Sequence, residues 1–91
     1  MKIEWARQAV DDLGNIRAYI TESDPSSAAS IANKILSSVT MLNETPHRGR
    51  PGRVPGTREL ILPGTPYIII YRVSSDTLQI IAVLHSSLNW P

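Results

Sequence analysis

No cysteine occurs in this chain of 91 residues, which removes disulfides and thiol chemistry from consideration. Long apolar runs are missing as well: none approaches the roughly 20 residues that a membrane-spanning helix requires. The opening residues Met1-Lys2-Ile3-Glu4-Trp5 lack the apolar stretch of a secretory signal, so the cytoplasm is the expected compartment and no membrane partner is expected. Gly49, Gly52, Gly56 and Gly64 do not form a phosphate-binding loop, because no Gly-Lys-Ser/Thr follows a Gly-rich turn. There are two histidines, His47 and His85, and neither has a partner at metal-ligand spacing. No metal and no other cofactor is expected. The acids Asp11, Asp12, Glu22, Asp24 and Glu44 fall on helix surfaces or ends, which reads as solvated faces rather than paired acid–base machinery.

What is present describes an ordinary globular chain, 42% hydrophobic and 19% charged, against both disorder and a membrane protein. Its length allows one domain over 1–91 with a thin core and leaves no room for a second. The net charge of +1 conceals an uneven distribution: Arg48, Arg50, Arg53 and Arg58 follow one another with no acid between them. Such a local basic surface attracts nucleic acid or an acidic partner even on a nearly neutral protein. A solvated basic loop is the alternative.

Hydrophobic spacing supplies the architecture. Residues 2–5 read as a short strand. Ala9, Val10, Leu13, Ile16 and Ile20 then recur at helical steps, predicting a helix that stops near Glu22. Asp24-Pro25 is a helix start, since Asp caps free amides and Pro at the first position has no amide to satisfy. The second helix buries Ala28, Ile31, Ala32, Ile35, Val39 and Leu42 along one stripe, and Pro46 ends it. Helices this close in sequence form an antiparallel hairpin, each offering its stripe to a sheet.

From Glu44 to Thr57 the chain reads ETPHRGRPGRVPGT, where Gly and Pro rule out regular structure and leave the arginines to water or a partner. Glycines 49, 52 and 56 permit backbone angles other residues avoid. Strands are predicted at Arg58–Leu62, Tyr67–Val73 and Leu78–Leu84, separated by the turns Pro63-Gly64-Thr65-Pro66 and Ser74-Ser75-Asp76. The class is α+β, in the order β-α-α-β-β-β, with the helix hairpin packed on an antiparallel sheet. Tyr67 and Tyr71 share a strand face, as core residues with hydroxyls at the rim. Arg72 lies on the other face, where a salt bridge to a nearby acid is the plainest role.

Three segments resemble the RelE/ParE family of toxins from type II toxin–antitoxin systems. They are Ala9-Val10-Asp11-Asp12-Leu13 with Ile16 and Tyr19-Ile20; GRPGRVPGTREL (49–60) followed by TPYIIIYRV (65–73); and VLHSSLNWP (83–91). The resemblance implies a RelE/ParE-like fold and a toxic protein neutralised by a cognate antitoxin of ParD/RelB type in a hetero-oligomer. It implies two alternative activities on one fold. RelE-type members cleave messenger RNA on the ribosome, with basic residues and a tyrosine or histidine acting on the 2′-hydroxyl and scissile phosphate. ParE-type members inhibit DNA gyrase. RNA cleavage needs a base, an acid and cations on the developing charge, and the tail offers His85 with no Lys, Arg or Tyr nearby. The Leu84-His85 pair is more similar to the ParE branch, whose tail runs roughly His-x-x-Arg-x-Trp. The gyrase reading is therefore preferred, with the ribosome as alternative target and an attenuated toxin that only binds its antitoxin as a third possibility. Where that tail has arginine this chain has Leu88, followed by Asn89 and Trp90. The expected partner-binding residues are Arg48, Arg50, Arg53, Arg58, Tyr71, Arg72, His85, Leu88 and Trp90. Leu88 either belongs to a functional tail or packs under Trp90.

Overall fold

In the computed structural model, which describes residues 1–88, the chain runs β1 (Lys2–Trp5), α1 (Arg7–Ser23), α2 (Pro25–Glu44), β2 (Arg50–Pro51), β3 (Arg58–Ile61), β4 (Tyr67–Ser74) and β5 (Thr77–His85). The predicted Trp90 contact lies outside the described residues. Asp24 divides the helices as its chemistry requires. One carboxylate oxygen accepts the Ser27 N–H at 3.2 Å and the other the Ser27 hydroxyl at 2.7 Å, and these bonds hold its carboxyl below the usual range. Pro25 opens α2 without a donor to satisfy.

The helix stripes meet one face of the sheet. Ala9, Ile35, Val39 and Leu42 are buried against Tyr67, Ile69, Tyr71, Leu78, Ile80 and Val83, with Leu13, Ile16, Ile20 and Ile31 partly buried around them. Val10 departs from its predicted place and is 51% exposed, because one residue beyond Ala9 turns it about 100° off the core stripe.

The α+β class and helix hairpin are as predicted, and the sheet differs in two details. Its order is β1-β5-β4-β3-β2, and β1 runs parallel to β5 while every other pair is antiparallel. The sheet is therefore mixed. Pairing between the first strand and the last is set by the whole chain path, which no local pattern records. Second, Arg50 and Pro51 pair with Glu59 and Arg58 inside the segment predicted to have no regular structure. A proline is tolerated there because β2 is the sheet edge.

A bulge sets the faces of β5. Ile70 pairs with Ala82 and Tyr71 with Ile80, so Ile81 is the extra residue. Strict alternation would send Ile80 and Val83 to opposite faces; the bulge lets both enter the core. Beyond Trp5, which pairs with Ile80, β1 no longer covers β5. There Asp12 on α1 takes over, its Oδ2 accepting the Val83 N–H at 2.9 Å while Oδ1 accepts Gln8 Nε2 at 2.7 Å. Asp12 is thus a structural cap of the sheet edge and not a solvated face, which corrects the sequence reading.

The arginine-bearing loop is fastened from beneath. Tyr71, fully buried at mid-sheet, donates its hydroxyl to Pro46 O at 2.7 Å and accepts the Gly49 N–H at 2.8 Å. The hydroxyl lies under the loop rather than at the rim. Burial is the main cause that raises its pKa above the ordinary 10.0, opposed by the Gly49 bond and by Arg58. Gly49 is needed for room, since a Cβ there would stand 2.6 Å from that hydroxyl, and a Cβ on Gly52 would collide with Thr57 Oγ1. Unusual backbone angles occur instead at Gly56 (φ 84°) and Gly64 (φ 74°).

Asp12→Ala strands the Val83 N–H at a buried residue and should lower unfolding free energy by about 1–3 kcal/mol in urea titration; an unchanged midpoint contradicts the capping role. Tyr71→Phe should cost about 1–3 kcal/mol for the same reason. Because its folded pKa is raised, the Tyr71 contribution is complete below about pH 10 and fades as pH climbs toward the folded value. The Phe variant should accordingly lose less stability than wild type as pH rises above about 10 in thermal unfolding.

Candidate partner-binding surface

Strand alternation sorts the arginines onto different sides. Arg58 shares the helix side of β3 with Leu60, whereas Arg50, Glu59 and Arg72 belong to the side that no helix covers. Arg50 donates from Nε and Nη2 to Glu59 Oε1 at 3.2 and 3.1 Å, and the Arg53 backbone N–H donates to Glu59 Oε2 at 3.3 Å. Glu59 is only 7% exposed. A carboxylate so buried persists in charged form only with such partners.

The sequence reading of four arginines left to water or a partner is therefore corrected. Arg50 is neutralised by the acid just past the run, and Arg58 is engaged with the backbone, its Nη1 donating to Gly49 O at 2.8 Å and His47 O at 3.3 Å. Arg48 and Arg72 are exposed, and no acid pairs with either among the described residues. The salt bridge that the sequence allowed Arg72 does not form. Arg53 lines a shallow hollow with Glu59, Ile68, Leu84, His85 and Leu88.

That hollow continues an apolar rung across the helix-free face, in which Ile61 pairs with Ile68 and Ile68 with Leu84. Ile61 is 52% and Leu88 57% exposed, so the face presents aliphatic surface flanked by cations. This mixture suits a protein partner whose segment carries both apolar and acidic side chains. The exposure of Leu88 places it within reach of such a partner.

His85 ends β5 opposite Tyr67, ring edge to ring face with centroids 5.7 Å apart. Its Nδ1 accepts the Ser87 N–H at 3.1 Å and lies 2.7 Å from Ser87 Oγ. Accepting a backbone donor assigns the neutral ring's proton to Nε2. The tail is less bare than its sequence suggests: Tyr67 arrives through strand pairing and Arg53 through the loop. Neither is adjacent to His85 in the chain, which corrects the reading that no Tyr or Arg stands near it.

Tyr19 enters the surface only in three dimensions. It is 73% exposed beside a groove of about 480 Å3 between α1 and the end of β5, lined also by Asp12, Ile16, Tyr67, His85 and Leu88. The available signal was its position between Ile16 and Ile20, off the core stripe, where a large aromatic has no packing role.

Comparison with known proteins agrees across nearly the full length. Residues 3–90 match the family profile described as ParE toxin of type II toxin-antitoxin system, parDE. Protein Y4kP of Sinorhizobium fredii (strain NBRC 101917 / NGR234), whose name describes a toxin, is 44% identical over 90 residues, covering 99% of this chain and 93% of its own. A chain from the chromosomal ParDE TA system of P. aeruginosa superposes with a TM-score of 0.85 at 30% identity, covering 93% of this chain and 95% of that one. A chain of the E. coli RelBE toxin-antitoxin complex gives 0.65 at 13% identity, covering 90% and 92%, and E. coli YafQ gives 0.66 at 18%, covering 94% and 93%; these two share the fold. The chain belongs to the ParE toxin family, within the RelE/ParE fold, and is the toxin of a type II toxin–antitoxin system.

Proposed function

We propose that this toxin acts in the cytoplasm by inhibiting DNA gyrase, and that a ParD/RelB-like antitoxin neutralises it by covering the arginine face, the apolar rung and the tail. The observation that carries the gyrase reading is the gap between its likenesses: 0.85 to the ParDE chain against 0.65 and 0.66 to RelBE and YafQ. The tail supports it too. RNA cleavage needs a free base beside the ribose hydroxyl, and His85 Nδ1 is already engaged with Ser87. A ribosome-dependent ribonuclease is the second reading, favoured by Arg53 and Tyr67 standing near His85.

The two readings separate cleanly in purified systems. Added to a gyrase supercoiling reaction, the protein should inhibit it, while programmed ribosomes keep their message intact. Codon-specific cut ends in the ribosomal A site, with supercoiling unaffected, reverse the ranking.

Leu88 tests the tail itself. A guanidinium at this exposed position can make the bidentate contacts with carboxylate or phosphate that leucine cannot. Leu88→Arg should sharpen growth arrest while stability stays within about 0.5 kcal/mol of wild type. Loss of about 1–3 kcal/mol without added toxicity instead assigns Leu88 to packing.

A further inference from the structure

Glu59 is held in a specific geometry. Among the described residues three donors converge on its two oxygens: Arg50 Nε and Nη2 on Oε1, the Arg53 N–H on Oε2. Only an ionised carboxylate accepts on both sides; a glutamine would turn its NH2 toward one of those donors. The negative charge is therefore built in, and it sits beneath the helix-free face between Arg50 and Arg53. Burial holds it there: Ile70, its partner across the ladder, is 2% exposed and Glu59 itself 7%.

A basic face of this kind attracts polyanions regardless of sequence, because each cation that meets a phosphate releases a condensed counterion. Arg50 remains half exposed, its side chain 55% accessible, but its charge is met from inside. We propose that Glu59 is a specificity-determining residue: an internal counter-ion that withholds Arg50 from nucleic-acid phosphates and so reserves the arginine face for a protein partner. The idea does not depend on which target the toxin has. It rests on the reading that a protein partner covers this face, with the Arg50–Glu59 pair as its internal balance. A partner supplying its own carboxylates in fixed positions, together with an apolar strip for the Ile61–Ile68–Leu84 rung, gains contacts that a phosphate backbone lacks.

The test uses the full chain and a labelled DNA duplex of about 20 base pairs and arbitrary sequence, titrated from about 50 mM to 1 M salt. Releasing one cation adds about 0.9 to the slope of log affinity against log salt, which amounts to roughly tenfold tighter binding at the low-salt end and none at the high. Glu59→Gln should show that gain. Glu59→Met, which replaces the buried charge with an apolar chain of similar length, should show it too and covers the case in which the Gln variant folds poorly. The double variant Glu59→Gln with Arg50→Gln should return to wild-type affinity, because the released cation is gone. Folding of each is checked by thermal unfolding. Wild-type affinity and slope in a folded Glu59 variant overturn the proposal, and so does a gain retained by the double variant, since that gain would come from a loosened loop and not from Arg50.

Discussion

A single buried hydroxyl joins the halves of this molecule. Tyr71 stands in the core face of the sheet, and its oxygen holds both the carbonyl that follows α2 and the amide that precedes β2. That pair of bonds fixes the route by which the chain leaves the helix hairpin for the sheet edge, through a segment whose Gly and Pro form no helix or long strand of their own. The close approach explains Gly49. Arg58, paired with Tyr71 in the ladder, completes the anchorage by binding the carbonyls of His47 and Gly49.

Once the loop is held, charge is distributed by strand geometry. A side chain at Arg58 goes to the helix side and its neighbour Glu59 to the open side, so adjacent residues of opposite sign serve different purposes. Arg58 is structural, Arg50 is balanced by an internal acid, and Arg48 and Arg72 are exposed without an acid partner among the described residues. The same open side carries the aliphatic rung and adjoins Leu88. The helix-free face is thus less basic and more apolar than four arginines in eleven residues imply.

Much of this was legible in the amino-acid order. The helix hairpin follows from the spacing of Ala28, Ile35, Val39 and Leu42 and from the Asp24-Pro25 start, all local signals. The three later strands follow from apolar runs between turns. What could not be read depends on partners distant in the chain: β1 alongside β5, Asp12 capping Val83, Tyr71 beneath Gly49, and Glu59 facing Arg50 across the edge ladder. The bulge at Ile81 was hidden because LQIIAVL is apolar throughout and carries no alternation to shift. His85 looked isolated for the same reason, since Tyr67 and Arg53 reach it only through folding. The family resemblance reached further than the local patterns because it draws on all three segments together.

The central claim is that the helix-free face, with the tail beside it, receives the protein partner. Methyl NMR of the toxin alone and in complex with its cognate antitoxin reads this directly, because Ile61, Ile68, Leu84 and Leu88 report on that face while Leu36, 48% exposed on α2, reports on the outside of the hairpin. The account predicts large shifts for the methyls of Ile61, Ile68, Leu84 and Leu88, with Leu36 little changed. Shifts at Leu36 with the other four undisturbed would contradict it.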